Sequence, residues 1–364
     1  RSTINFAGGD LSIEDMIPDE QVVISISHAG YIKRTPLSEY KKQNRGGVGS
    51  KASTTRNEDF LEYLFVGTNH QYMIFFTQEG KCFWMRVYEI PEGSKTSKGR
   101  AIQNLINIEP QDKVKAFICT QDLKDEEYIN SHYVIMATKK GQVKKTSLEQ
   151  YSRPRTNGIN AITIKEGDEL LSAKLTTGES QVMLALKSGK AIRFEEAKTR
   201  PMGRNASGVR GITLAHDKDE VVGMIAVENP DEETVLVVSE NGYGKRTYIN
   251  DPETGDEIYR ITNRGGKGVK TISVTDKTGE LVTIKSVTDN DDLMIINKSG
   301  IAIRIAVEDL RVMGRATQGV RLINLKGNDS IAAVAKVMNE DDEDDEISDV
   351  NEDGTAVDTS GEEE

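Results

Sequence analysis

The sequence predicts an all-β protein built as a six-bladed propeller, with four strands in each blade. A short unit recurs six times, each time with an apolar stretch, a turn that ends in glycine, and a second glycine further along. The second glycine follows the first by 19 residues in four of the six units, which is too regular for chance. Repeats at intervals of roughly 50 residues are typical of propellers and other closed arrays. The first glycines are Gly30, Gly80, Gly141, Gly189, Gly242 and Gly300, and the second are Gly49, Gly99, Gly158, Gly208, Gly268 and Gly319.

Each unit supplies enough β-forming segments for one blade. The first apolar stretches are too short for helices and rich in Val, Ile and aromatic residues, which predicts buried strands. In the fourth unit a strand at 182–187 is followed by a glycine turn, strands at 190–194 and 221–227, and an alternating segment at 209–214 between them. Glycine at the turn allows a positive φ angle without steric cost. The other first strands are expected at residues 22–27, 72–77, 133–138, 235–240 and 293–298.

The two ends of the chain differ from the repeats, which span residues 21–338. Residues 1–20 form a lead-in, where Ser12 is predicted to cap a short helical turn at 13–17. Similar single turns are expected at 38–42 and 307–310. Residues 339–364 hold 14 Asp and Glu and no Lys or Arg, so this acidic tail is predicted to be disordered. Because the chain begins with Arg1 rather than Met, we expect it to be part of a longer protein.

The net charge of −12 arises from the acidic tail. Without residues 339–364 there are 47 Lys and Arg against 45 Asp and Glu, so residues 1–338 carry a charge of +2 and are compatible with nucleic-acid binding. The tail is expected either to compete with DNA for basic groups within a Debye length of ~8 Å or simply to improve solubility. Two cysteines, Cys82 and Cys119, and no apolar run near the ~20 residues of a membrane span predict a cytoplasmic protein without membrane contact.

Basic residues recur at two positions of the unit. Lys or Arg stands four residues after the first glycine in five of six units, and Trp84, the exception, is expected to pack within a blade. A cation also stands four residues before the second glycine in five of six units, and in the third unit Arg155 follows Pro154 at that place. Because blades are related by rotation, these positions are expected to form a curved positive belt on the rim. Its members are Arg34, Lys145, Arg193, Arg246 and Arg304 at the first position, and Arg45, Lys95, Arg204, Arg264 and Arg315 at the second.

A curved positive belt suits double-stranded DNA, since neutralised phosphates release counterions whatever the base sequence. The glycines are expected to let backbone N–H groups approach the phosphates. No recognition helix is predicted, so binding should lack strong sequence specificity. The alternative is a propeller whose basic belt docks an acidic protein partner. Neighbouring cations complete the predicted DNA surface, namely Lys33, Lys41, Lys42, Lys51, Lys144, Arg155, Arg210, Lys245, Lys267 and Arg321.

No pattern in the sequence indicates catalysis. The histidines His28, His70, His132 and His216 are scattered without ligand spacing, so no metal site is predicted. The chain has no G-x-x-x-x-G-K-[ST] phosphate loop and no Ser-His-Asp or Cys-His set. We therefore expect a non-catalytic chain that holds no cofactor.

Two glycine-rich segments, QNRGGVG at 43–49 and NRGGKG at 263–268, stand out among the repeats. With the six units, the first of them resembles the C-terminal domain of DNA gyrase A, whose first blade carries the box Gln-Arg-Arg-Gly-Gly-Lys/Arg-Gly. Gln43, Arg45, Gly46, Gly47 and Gly49 match this gyrase box, whereas Asn44 and Val48 replace two cations. Other family-like segments within residues 10–338 are GYIKRTPLSEY at 30–40, MGR at 202–204, GVRGI at 208–212, NGYGKRT at 241–247, GR at 314–315 and QGV at 318–320.

The resemblance implies a six-bladed β-pinwheel, a propeller relative whose blades exchange a strand with their neighbours. It implies that the domain wraps DNA around its rim and presents it, with a positive crossing, to the breakage domain that lies upstream in gyrase A. The complete enzyme, with ATP bound by gyrase B, then introduces negative supercoils. In the resemblance the box supports the wrap and closes the ring, and the protein belongs in the bacterial cytoplasm, close to the nucleoid.

Two departures from the family pattern bear on this interpretation. The loss of two cations weakens the box, and Lys41, Lys42 and Lys51 are expected to compensate. A degraded box is also typical of the equivalent domain of topoisomerase IV, the decatenating relative, which stays as an alternative. The fifth unit has seven extra residues around 251–257, which are expected to form a longer rim loop that displaces DNA locally.

Overall fold

The computed structural model describes residues 12–37, 59, 61–94, 96–299 and 302–337. These residues form six antiparallel sheets, five with four strands and the sixth with three. The innermost strand of the last sheet contacts that of the first, so the sheets close into a ring. The prediction of an all-β, six-bladed architecture is confirmed. The acidic tail, the candidate turn at 38–42 and the gyrase box lie outside the described residues.

Each of the first five blades contains an axial strand, a second strand, a third strand and an outer strand, in that order across the sheet, and the described part of the sixth contains the first three. The axial strands are Leu61–Thr68, Val114–Thr120, Leu170–Thr176, Val221–Val227, Leu281–Val287 and Ile331–Val337. The second strands are Gln21–Ser27, Tyr72–Thr77, Tyr133–Thr138, Gln181–Leu186, Thr234–Ser239 and Asp292–Asn297. The third strands are Tyr31–Pro36, Lys81–Arg86, Gln142–Ser147, Lys190–Glu195, Tyr243–Tyr248 and Ala302–Ala306. The outer strands are Arg100–Ala101, Ile159–Asn160, Val209–Arg210, Val269–Lys270 and Val320–Arg321.

The outer strand of each blade is donated by the next unit along the chain. Val209–Arg210, from the fourth unit, pairs with Gln142–Ser147 of the third. The same exchange joins the first and second blades, where Ala101 lies opposite Tyr31. This exchange is the pinwheel arrangement.

The hydrophobic core lies between neighbouring blades. Side chains of a strand alternate between its two faces, and each second strand is covered on both. Ile74 and Phe76 pack toward the third blade, whereas Met73 and Phe75 pack toward the first. All four are fully buried. Burying a side chain of this size contributes about 1.5–3 kcal/mol, which explains why these strands read as continuous apolar runs.

Helices in the described chain are short. The predicted turn in the lead-in is the 3-10 helix Ile13–Met16, and Ser12 caps it as expected. Val307–Asp309 matches the expected turn at 307–310. The sequence analysis missed the α-helix Glu126–Ser131, which Asp125 caps. The remaining 3-10 helices are Val87–Glu89, Ile102–Asn104, Leu148–Tyr151 and Glu196–Lys198.

The described second glycines are required where the donated strand meets the neighbouring blade. Gly208 has a φ angle of +90°, and a Cβ atom on it would lie 2.4 Å from the carbonyl oxygen of Val143. Gly99 is in the same position, 2.4 Å from the carbonyl oxygen of Ile32. The regular glycine offset in the sequence therefore reflects close backbone packing between blades.

Gly208→Ala should lower the free energy of unfolding by roughly 1–3 kcal/mol, since alanine is strained at this φ angle and its Cβ meets backbone. The measurement is urea denaturation followed by circular dichroism. Gly203→Ala is the matched control, because a Cβ at Gly203 would have no atom within 4 Å. Equal denaturation midpoints for the two variants would contradict this account of the second glycine.

Candidate nucleic-acid interface

The predicted cations of the second position lie on a series of loops at the edge of the ring. Each loop runs from the third strand of a unit to the outer strand that it donates, and we call these segments the rim loops. Backbone hydrogen bonds attach each of three rim loops to the end of the preceding outer strand. The Gly265 amide donates to the Gly211 carbonyl at 2.7 Å, and the amides of Thr163 and Ser273 donate to the Ala206 and Thr317 carbonyls at 3.3 and 3.1 Å. The rim loops and outer strands therefore alternate around the edge.

The rim-loop arginines bring cations of neighbouring blades together. Nη1 of Arg264 donates to the carbonyl oxygen of Arg210 at 3.1 Å. Nη1 of Arg315 donates to the carbonyl oxygen of Lys270 at 2.5 Å. Each contact places a rim-loop guanidinium against the backbone of an outer strand that itself carries an exposed cation. Like charges gathered in this way favour a polyanionic ligand.

Most of the accessible cations come from rim loops and outer strands. Of the predicted set, the structure exposes Arg155, Arg210, Lys267, Arg304 and Arg321 and leaves Arg204, Arg264 and Arg315 half-buried, and Arg304 stands on a third strand. Eight further exposed cations on the rim loops and outer strands were missed: Arg153, Lys198, Arg200, Arg260 and Arg311, and the trio Lys98, Arg100 and Lys270. All three stand within two residues of a second glycine, which is the signal that would have found them.

The first cation position does not form the solvent-facing belt that we expected. Arg193 is 2% exposed, and its guanidinium donates to Gln181, to Asn250 and to the carbonyl oxygen of Tyr259. Nε of Arg246 donates to the Leu310 carbonyl at 2.8 Å. Arg34 likewise reaches the Ile90 carbonyl at 3.1 Å.

These three arginines thus tie a third strand to the start of the rim loop that follows in the next unit. Lys145, at the equivalent place, is buried beside Glu196, with Nζ 3.8 Å from that carboxylate. Arg304 is exposed but pairs with Asp292, with Nε 2.6 Å from the carboxylate. The prediction of an exposed belt at the first position is wrong, because four of its five cations hold neighbouring blades together and the fifth, Arg304, is paired with Asp292 of its own blade.

The lysines one residue earlier were also predicted to face DNA, and the structure buries them. Lys144 is fully buried, and Nζ donates to the carbonyl oxygens of Ala161 and Arg204. Nζ of Lys245, 1% exposed, donates to the carbonyls of Gly314, Arg315 and Thr317 at 2.6, 2.5 and 2.9 Å. Nζ of Lys33 reaches the carbonyls of residues 94 and 97.

Each of these lysines donates hydrogen bonds from its ammonium group to backbone carbonyls of a rim loop. We call Lys33, Lys144 and Lys245 the staple lysines. Burial, and then the neighbouring Arg204, lowers the pKa of Lys144 to about 7. Burial, and then Arg315, lowers the pKa of Lys245 to about 8. Their effect on a polyanion is therefore indirect, through the position of the rim-loop arginines.

Several predicted residues fall outside the described part of the chain. They are Lys41, Lys42, Gln43, Asn44, Arg45, Gly46, Gly47, Val48, Gly49, Lys51 and Lys95. The expected role of the second glycines in approaching phosphate receives no support from the described ones, because their missing Cβ makes room for a neighbouring blade.

The extra residues of the fifth unit form a closed loop beside the fourth blade. The Asp251 amide donates to the Asp256 carbonyl at 2.7 Å, and Asn250 pairs with Glu257 in an isolated bridge. Nη1 of Arg193 donates to Oδ1 of Asn250 at 2.9 Å, which holds the loop in place. The predicted longer loop is therefore present.

Other residues singled out from the sequence have structural partners. Nε1 of Trp84 donates to the Tyr151 carbonyl at 2.9 Å, so this ring packs within the blades as expected. Nδ1 of His28 contacts Glu62 at 2.8 Å. In the described ranges no group of three or more His, Cys, Asp or Glu side chains is placed to hold a metal ion. Among the same residues no helix has the length and apolar character needed to cross a bilayer.

Comparison with known proteins gives a consistent result. The family described as DNA gyrase C-terminal domain, beta-propeller, matches residues 21–67, 71–121, 132–177, 182–228, 233–251, 259–288 and 291–338. The chain is 44% identical over 98% of its length to the DNA gyrase A protein of Staphylococcus aureus strain MRSA252. The chain belongs to the DNA gyrase C-terminal domain family. It spans 39% of that relative's length.

Further relatives of this gyrase-family chain agree. The DNA gyrase A protein of Staphylococcus epidermidis strain ATCC 12228 is 44% identical over 94% of the chain and 37% of its own length. A solved DNA gyrase A C-terminal domain superposes with a TM-score of 0.61 at 26% identity, covering 88% of this chain and all of that one. The C-terminal domain of DNA topoisomerase IV superposes with a TM-score of 0.76 at 23% identity, covering 92% and 98%, and this likeness shows the fold alone. The break in the family match between residues 251 and 259 coincides with the extra loop.

Lys245→Met should loosen the rim loop of this gyrase-family domain at residues 313–317, because three backbone carbonyls lose their donor. We expect hydrogen exchange of the Met313 amide, which donates to the Arg246 carbonyl, to become at least about tenfold faster. Exposed Lys218→Met is the control. Unchanged exchange in Lys245→Met would show that the staple lysine does not hold the loop.

Proposed function

We propose that this chain binds double-stranded DNA along its rim loops and outer strands and bends the duplex around the ring. The observation that supports this most directly is the set of accessible cations on these elements. Its members include Lys98, Arg100, Arg155, Arg204, Arg210, Arg264, Lys267, Lys270, Arg315 and Arg321. Burial excludes the staple lysines and the first-position cations other than Arg304 from direct contact, and Arg304 is paired with Asp292.

The arrangement favours phosphate contacts over base recognition. The accessible cations stand on loops and two-residue strands, which have no element long enough to enter a major groove. Arginine and lysine bind phosphate oxygens irrespective of the base sequence. We therefore propose binding without strong sequence preference, in the manner of proteins that rely on backbone contacts and DNA deformability.

The energies of bending and binding are of compatible size. Bending ~20–30 bp through roughly 40–90° costs on the order of 1–6 kcal/mol. Six to ten phosphate contacts correspond to a slope of about −5 to −9 in a plot of log affinity against log salt. Counterion release from that many contacts is sufficient to offset the bending energy at low salt.

Family membership extends the proposal to the complete enzyme. We propose that the wrapped duplex is delivered to the upstream breakage domain of gyrase A. There, together with ATP-hydrolysing gyrase B, it supports negative supercoiling in the bacterial cytoplasm. This chain takes no chemical step and holds no cofactor in the proposal. Decatenation as part of topoisomerase IV is the alternative, and the gyrase family match and the 44% identical gyrase relatives favour supercoiling.

Reversing the charge of four outer-strand cations should weaken DNA binding in a salt-dependent way. In Arg100→Glu/Arg210→Glu/Lys270→Glu/Arg321→Glu, four phosphate contacts are lost. The log–log salt slope should therefore become shallower by about 3–4. The measurement is fluorescence anisotropy of a labelled duplex across a salt series.

The matched control reverses four exposed lysines that stand on neither element, at Lys113, Lys124, Lys218 and Lys298. This control has the same change in net charge and should keep its slope within about one unit of the parent. Equal changes of slope in the two quadruple variants would show that binding follows net charge rather than this surface.

Wrapping is distinguished from straight binding by topology. Nicked circular DNA ligated in the presence of the chain should carry a linking-number change after protein removal, because a wrapped duplex traps writhe. Unrelated duplexes of equal length should bind within about threefold of one another in a gel shift at low salt. Binding without any linking-number change would eliminate wrapping, and no gel shift at all would favour the protein-docking alternative.

A further inference from the structure

All six axial strands line a cavity of about 480 Å³ on the axis of the ring. This axial cavity is separate from the rim loops and plays no part in the proposed DNA surface. Its wall includes four lysines, Lys115, Lys174, Lys285 and Lys336. Residues 222–226 of the fourth axial strand contribute a wall without charged side chains. The cavity is partly open to solvent and carries an excess of positive charge, with four lysines against Glu62 and Glu233.

Two of these lysines have no anionic partner in the described part of the chain. Lys174 and Lys285 stand at equivalent places, each as the fifth residue of its axial strand, and neither ammonium makes a hydrogen bond or ion pair with a described residue. Both side chains are half-buried. Lys336 adjoins them from the sixth strand and is partly neutralised, with Nζ 3.3 Å from Asp291.

The acidic groups around the cavity are already engaged. Glu62, on the first axial strand, pairs with His28 at 2.8 Å. Glu233 accepts a hydrogen bond from Ser286 at 2.6 Å and others from two backbone amides. Tyr63 on the first strand and Lys115 on the second complete the titratable lining. Neither Lys174 nor Lys285 is therefore in contact with a described carboxylate, and Glu62 acts on Lys285 only through its charge.

The electrostatic consequence appears in the ammonium groups themselves. Burial, and then the charges of Lys285 and Lys336, lowers the pKa of Lys174 to about 8. Burial, opposed by Glu62 and reinforced by Lys336, also lowers the pKa of Lys285. Like charges held in a poorly solvated space disfavour one another, and an anion placed among them relieves both penalties.

We propose that the axial cavity binds a compact oxyanion between the ammonium groups of Lys174, Lys285 and Lys336. Phosphate, sulfate and carboxylate share the required chemistry, since each offers oxygen acceptors to several N–H donors. Two sources are compatible with the position of the cavity. One is a free phosphate-type ion, and the other is a carboxylate of residues 339–364, which follow the axial strand Ile331–Val337 in the chain.

The test is isothermal titration calorimetry with pyrophosphate at low salt, on the full chain and on a chain ending at Met338. Lys174→Met/Lys285→Met keeps the apolar stems and removes the charges, so it should bind at least about tenfold more weakly than the parent. Lys174→Arg/Lys285→Arg restores the charges and should retain binding. The control is Lys165→Met/Lys218→Met, which removes two exposed lysines elsewhere and should match the parent.

The two sources give different results. Lysine-dependent binding by both chains supports a free ion, whereas lysine-dependent binding by the shortened chain only supports the carboxylates of the tail. Pyrophosphate binding that is unchanged in Lys174→Met/Lys285→Met, or absent from both chains, overturns the proposal. DNA affinity should be unaffected in the double methionine variant, which separates this site from the rim.

The pH dependence provides a second readout with sulfate, whose charge is constant in this range. Because the empty-site pKa of Lys174 is about 8, sulfate should bind several-fold more weakly near pH 9 than near pH 7. Glu62 raises the pKa of His28, and burial lowers the pKa of Lys285, so both groups face the site beside Lys174. Lys174→Met should therefore show a smaller pH response than the parent, and a pH response identical to the parent's would count against a role for Lys174.

Discussion

The backbone joint between neighbouring blades is the constraint on which the rest of the structure depends. Each blade receives its outer strand from the next unit, so the chain must cross from one sheet to another five times in the described residues. The crossing is possible because a second glycine such as Gly208 brings two backbones closer than a Cβ would permit. Buried cations then satisfy carbonyl groups that the crossing leaves without donors. Because this strand exchange repeats from blade to blade, the rim loops and outer strands alternate regularly around the edge of the ring.

Burial divides the basic residues of the repeat into two functional classes. Arg193 and Lys245 donate hydrogen bonds to carbonyl groups of an adjoining segment, and both side chains are buried. Arg210 and Lys270 stand on the donated strands with their side chains exposed. Rim-loop arginines such as Arg264 link the classes, since each touches the backbone of an outer strand. The buried basic residues therefore position the exposed ones, so the stability of the fold and the geometry of the proposed DNA surface depend on the same contacts.

The ring also creates an interior that a single blade does not have. The six axial strands face one another, and their side chains reach a shared space instead of solvent. In such a space charge is expensive unless it is compensated. The uncompensated ammonium groups of Lys174 and Lys285 are therefore chemically distinct from the lysines of the outer surface. The cations at the edge of the ring are surrounded by water, whereas the lysines on its axis lie in a half-buried space of lower dielectric constant.

The sequence by itself determined the repeat, the strands and the family, because apolar periodicity, glycine spacing and motif residues are local properties. The buried strand at residues 72–77, the capped turn after Ser12 and the longer loop of the fifth unit all follow from adjacent residues. The direction in which a strand cation points is different. Arg193 and Arg210 stand on strands that are consecutive along the chain, yet only the packing of the next unit over Arg193 decides that Arg193 is buried. Likewise, Lys174 and Lys285 are 111 residues apart in sequence, and only the closure of the ring brings their strands to one cavity.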